Sequence, residues 1–189
     1  MIEIVDTRLP EVKIVVPRRI GDHRGFFSEV WNAQGLAAAG ISAVFVQDNH
    51  IRNPGAGTMR GLHYQLPPRA QGKLVRVSRG AVFDVAVDIR RGSPRFGQHV
   101  GEVLSADNWR QLWVPPGFAH GYCTLEDDTE VQYKVTDYYD PASERGIAWD
   151  DPALGIAWPV KATQVILSER DRRLPHLGDQ PDLAAYFGP

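Results

Sequence analysis

The stretch KLVRVSRGAVFDVAVDIR, residues 73–90, decides how the rest of the chain is read. Valine, isoleucine and phenylalanine recur at alternate positions on both sides of Arg79 and Gly80, the period of extended backbone rather than of a helix. Arg79-Gly80 marks a turn, so the stretch reads as a β-hairpin. Past the turn, Ala81, Phe83, Val85, Val87 and Ile89 fall on one face, and Val82, Asp84, Ala86 and Asp88 on the other. The second face is small and acidic, which suits a cavity wall. Solvent suits Asp88 equally well, but a water-facing Asp84 sits poorly in an apolar run.

Similar segments lie on either side, separated by Gly, Pro, Asp and Asn clusters. Strands are predicted at 12–16, 26–30, 44–49, 98–104, 110–114, 119–124 and 129–138, the pattern of an all-β sandwich or barrel. NAQGLAAAG, residues 32–40, places an N-cap asparagine and a closing glycine around an alanine-rich run, enough for about two helical turns. A second short helix is predicted at 182–187. With no internal repeat or linker, the 189 residues at 43% hydrophobic content read as one domain, 1–189.

A formal net charge of −2 supplies no global field for nucleic acid or an anionic membrane, so anionic ligands fall to local cations. The opening MIEIVDTRLPEVKIVV lacks the basic head and apolar run of a signal peptide, and no stretch approaches the roughly 20 apolar residues of a membrane helix. A cytoplasmic protein is expected. The single cysteine, Cys123, excludes an internal disulfide and a multi-cysteine metal site.

The densest chemistry sits in MRGLHYQ, residues 59–65, where His63 is a base, a metal ligand or a packed core histidine. His23, His50, His63, His99, His120 and His176 include no pair at i, i+2 or i, i+4, which disfavours a jelly-roll metal site without forbidding ligands that meet only in space. Arg60 and Lys73 flank His63 across a turn at Pro67-Pro68, a placement that favours one shared pocket. Arg24 in GDHRGFFSEVW and Arg170 in LSERD are further anion-binding candidates; each taken singly reads equally as a solvated cation. In VQYKVTDYYDP, alternation puts Tyr133 and Tyr139 on one face. On a straight strand they stand about 20 Å apart, suited to the two ends of an elongated ligand or to ordinary packing.

Together GDHRGFFSEVW, VQDNHIRN, MRGLHYQ, GKLVRVSRGAVFDVAVDIRRGSPRFG, WVPPGFAHGY, YKVTDYYDPASERGIAWDDP and LSERD resemble, in order and spacing from residue 22 to 171, the dTDP-4-dehydrorhamnose 3,5-epimerase family. The resemblance implies a cupin-type jelly roll (double-stranded β-helix) with a few short helices, a homodimer, no metal or other cofactor, and a nucleotide-sugar substrate. It implies that His63 is the base, oriented by Asp171, that Tyr133 is the acid on the opposite face, and that Lys73 stands near the C4 oxygen. Binding falls by resemblance to Arg24, Glu29, Gln47, Asn49, Arg60, His120, Glu144 and Arg170, with Arg24 reaching across from a partner subunit and Tyr139 stacking on thymine. Asp84 holds Lys73 or His120; the sequence leaves both open. Arg170 stands where the family commonly has lysine, and Met59 where leucine is common. Relatives that invert only C3 or only C5 carry the same residues. A non-catalytic sugar-binding jelly roll is the other alternative, and it has no need for acid and base together.

MRGLHYQ also sets a geometric problem. Strict alternation sends Arg60 and His63 to opposite faces, whereas one pocket needs both. Gly61 permits a bulge that resets the alternation, so irregular backbone is predicted there.

Overall fold

The computed structural model describes residues 2–183. Thirteen strands account for most of the order: β1 (Ile2–Asp6), β2 (Lys13–Pro17), β3 (Ile20–Asp22), β4 (Gly25–Phe27), β5 (Gln47–Asn53), β6 (Met59–Gln65), β7 (Lys73–Arg79), β8 (Ala81–Asp88), β9 (His99–Ser105), β10 (Gln111–Val114), β11 (Phe118–Thr124), β12 (Thr129–Val135) and β13 (Glu144–Gly146). Among the described residues one α-helix, α1 (Ala33–Ala38), opens on Asn32, whose side chain accepts from the Gly35 amide at 3.0 Å. The helix predicted at 182–187 lies largely outside the described residues.

The strands form a six-stranded sheet in the order β1-β2-β10-β7-β12-β5, a five-stranded sheet in the order β13-β6-β11-β8-β9, and the small β3-β4 hairpin. Every pairing between named strands is antiparallel, and the two large sheets stack as the cupin-type jelly roll. The alternation in residues 73–90 is real, but the hairpin is not. β7 pairs with β10 and β12, while β8 pairs with β11 and β9, so the two strands belong to different sheets. Gly80, at φ +73°, turns the chain from one sheet to the other; a Cβ there would stand 2.4 Å from Thr129 Oγ1.

Pleating then sorts the side chains into layers. Val75, Val77, Leu112 and Val131 of the six-stranded sheet meet Val82, Ala86, Val100, Leu104 and Phe118 of the five-stranded sheet, all buried. The outer face of the five-stranded sheet, with Val85, Val87 and Ile89, is covered by Ile147, Leu154 and Leu177 of the C-terminal segment. Leu36 of α1, with Ile41, covers Val15, Leu74 and Trp113 on the other outer face. Both sheets are thus apolar on two sides along part of their length, which is why their strands read as near-continuous hydrophobic runs.

Asp88 is fully buried rather than solvated. It accepts from Arg90 Nη2 at 2.7 Å and from the Ser93 hydroxyl at 2.6 Å, partners close enough in sequence to compensate its burial. Strand 26–30 shrinks to Gly25–Phe27, and 129–138 stops at Val135. β1, β3 and β13 were not predicted, being short or polar.

Candidate active site

Towards one end of the interior the apolar layer gives way to polar side chains, because the inward-facing positions of several strands change character together. β7 turns Lys73 inward in line with Val75 and Val77; β11 does the same with His120 between Phe118 and Tyr122. Gln47 and Asn49 of β5, Tyr133 of β12 and His63 of β6 complete a cavity of about 790 Å³. Arg60, Tyr139, Glu144, Arg170 and Asp171 also line it. Of the predicted site residues, only Arg24 and Glu29 stay outside their own chain's cavity. Arg24 sits on the exposed β3-β4 hairpin, paired with Asp22 at 2.6 Å.

The predicted irregularity at Gly61 brings Arg60 and His63 together. Across the β6-β11 ladder His63 pairs with His120 but Arg60 pairs with Tyr122, so two residues of β6 oppose one of β11. This bulge cancels the opposite-face placement. Gly61 has φ +108°, and a Cβ there would lie 2.6 Å from the His120 carbonyl oxygen, a position only glycine fills.

Two histidine–carboxylate pairs stand in the cavity wall. His63 Nε2 and Asp171 Oδ1 are 2.8 Å apart. Burial works to raise the Asp171 carboxyl pKa, but the His63 hydrogen bond and charge, with bonds from the Gly61 amide and Ser168, outweigh it and hold it below the usual range. An ionised carboxylate only accepts, so neutral His63 carries its proton on Nε2 and leaves Nδ1 with the basic lone pair. His120 Nε2 lies 2.9 and 3.0 Å from the two oxygens of Asp84, which resolves the choice left open for that aspartate.

Lys73 is buried, and its ammonium donates to the His63 carbonyl oxygen at 3.4 Å. Burial lowers its pKa to about 8, against the opposing pull of Glu144 and Asp84. Burial also raises the Tyr133 phenol, while the nearby Arg60 charge lowers it, with a net upward shift. Tyr133 therefore stays protonated and able to donate at neutral pH. At the mouth, Tyr139 donates to Glu144 at 2.7 Å and Arg170 pairs with the same carboxylate at 2.7 Å. Since β12 ends at Val135, the straight-strand separation of Tyr133 and Tyr139 does not apply; both line one cavity. Tyr122 and Gln71, which line it too, escaped the sequence reading, although the two-residue spacing of Tyr122 from His120 was a signal for it.

The match to the family model for dTDP-4-dehydrorhamnose 3,5-epimerase runs over residues 6–179. The chain belongs to the dTDP-4-dehydrorhamnose 3,5-epimerase family. It is 52% identical to the family enzyme of Sinorhizobium fredii over 177 residues, 92% of this chain and 88% of that one. It is 54% identical to that of Pseudomonas aeruginosa over 166 residues, 87% and 90% of the two chains. The crystal structure of the Legionella pneumophila dTDP-6-deoxy-D-glucose-3,5-epimerase in complex with dTDP-4-keto-L-rhamnose superposes with a TM-score of 0.94 at 48% identity, covering 100% of both chains.

Proposed function

We propose that this chain inverts C3 and C5 of dTDP-4-dehydro-6-deoxy-D-glucose to give dTDP-4-dehydro-L-rhamnose. The C4 ketone acidifies the protons on both neighbouring carbons. Removing one leaves an enolate, and returning a proton to the opposite face inverts the centre. His63 Nδ1 takes the proton, and the Asp171 carboxylate stabilises the imidazolium that forms. Lys73, charged below its pKa of about 8, stabilises the enolate oxygen in a water-poor site. Tyr133 returns a proton from the other side. The observation that carries this reading is the placement of base and acid: His63, hydrogen-bonded to Asp171 at 2.8 Å, stands on the five-stranded sheet, and Tyr133 stands on the six-stranded sheet across one cavity. No electron or group carrier enters this chemistry.

Arg60 and Arg170 take the diphosphate, Tyr139 stacks on thymine, and Gln47, Asn49, His120 and Glu144 bind the remaining polar groups. Arg24 and Glu29 serve the cavity of a partner in a homodimer; support comes from their position outside their own cavity and from the exposed Ile20, Phe26 and Phe27 of the same hairpin. Incubation with dTDP-4-dehydro-6-deoxyglucose in D₂O, followed by NMR, tests the reaction. Deuterium at both carbons supports it, deuterium at one reduces the chain to a single-centre epimerase, and none at either refutes catalysis. Tyr133→Phe is expected to impair inversion more than exchange.

A further inference from the structure

Asn53, the last residue of β5, is fully buried and does not itself line the cavity, so its amide needs another explanation. Its Nδ2 donates at 3.2 Å to the carbonyl oxygen of Thr129, its partner across the β5-β12 ladder. A carbonyl only accepts, so this bond fixes which end of the amide is which. Oδ1 must then face the other way, where it accepts from Arg60 Nε at 2.8 Å and from the Tyr122 hydroxyl at 3.5 Å. Asn53 stands on the six-stranded sheet and Arg60 on the five-stranded sheet, so the bond spans the two layers beside the cavity.

The nature of the acceptor matters. Arg24 is neutralised by Asp22, and Arg170 by Glu144. Among the described residues no carboxylate pairs with Arg60; its side-chain hydrogen bond goes to a neutral amide. A neutral acceptor at Nε orients the guanidinium fork while leaving its full charge and both terminal nitrogens for an anion, the geometry of bidentate phosphate recognition. We infer that Asn53 is a positioning residue that holds Arg60 towards the diphosphate of the substrate without cancelling its charge. This rests on the reading of Arg60 as a diphosphate ligand.

The test is a double-mutant cycle in the full enzyme, with KM and kcat read separately. Asn53→Leu keeps the volume and removes the acceptor; KM is expected to rise about tenfold, as for one hydrogen bond to a charged donor, with kcat changed much less. In an Arg60→Lys background, which has no Nε, Asn53→Leu should add nothing. Asn53→Asp keeps an acceptor but neutralises the cation, and it too should raise KM. If Asn53 merely packs, Asn53→Leu leaves KM at the wild-type value, and the inference falls while Arg60→Lys still raises KM. If Arg60→Lys leaves KM unchanged, the diphosphate reading of Arg60 falls first and this one with it. A measurement on the wild-type protein stands even where Asn53→Leu fails to fold: the Arg60 Nε–H resonance, assigned by its loss in Arg60→Lys, should exchange slowly with solvent. Exchange as fast as that of exposed arginines overturns the inference.

Discussion

The cavity holds the same chemical unit twice, and the two copies are built differently. His63 and His120 face each other across the β6-β11 ladder, and each gives Nε2 to an aspartate. Asp84 comes from β8, the neighbouring strand of the same sheet, and is completely buried; both its oxygens converge on one nitrogen. Asp171 comes from a short turn 108 residues beyond its histidine, and its second oxygen meets the Gly61 amide at 3.5 Å. The His63 side chain is 30% exposed and that of His120 is 9%. An aspartate fixed within a ladder pins its imidazole, whereas one presented by a turn orients a ring that still reaches the cavity. The first arrangement suits binding and rigidity. The second suits a base that must exchange protons with a ligand.

That contrast breaks most readily at the histidines. His63→Ala should lower exchange at both C3 and C5 by about a thousandfold, within the range of a lost general base. His120→Ala should chiefly raise KM; equal loss of exchange in the two variants would erase the distinction. The aspartates come next. Asp171→Asn should cut kcat by about a hundredfold with the fold intact, because the imidazolium loses its counter-charge. Asp84→Asn should instead cost about 1–3 kcal/mol in urea unfolding, the penalty for a buried hydrogen-bond partner left unmatched. The reverse assignment of those two effects would overturn the comparison.

Lysine 73 sharpens it further. A lysine is charged below its pKa, so log kcat/KM should decline as pH rises through about 8 instead of holding to the ordinary lysine value of 10.5. The Asp84 charge raises the Lys73 pKa, and its removal should move that limb to lower pH. Asp171→Asn should leave the limb in place. The smallest effect belongs to Arg170→Lys at the mouth, where the cation remains and the geometry of its pair with Glu144 changes: a few-fold rise in KM at most.

Much of this was legible in one dimension. Alternation located most of the strands, and the Asn32 cap placed α1, because period and capping are local properties of the chain. The positive φ at Gly61 answered a conflict visible in MRGLHYQ itself: two pocket residues three apart need an extra residue between them. Residues 73–90 misled for an equally physical reason. A strand-turn-strand pattern is the same whether the chain folds back on its neighbour or crosses to the opposite sheet, and only long-range pairing of β7 with β12 and of β8 with β11 decided that. Asp88 found its compensating arginine two residues away, but burial depends on what packs over it.

The identities and order of the motifs, and through them the epimerase family, were determined by the sequence alone, since those depend on which residues recur at which spacing. That Asp84 serves His120, that His63 and Tyr133 stand on opposite sheets, and that Asn53 turns its oxygen to Arg60 were decided only in three dimensions. Each joins residues tens of positions apart, and no local preference of the backbone encodes such a meeting.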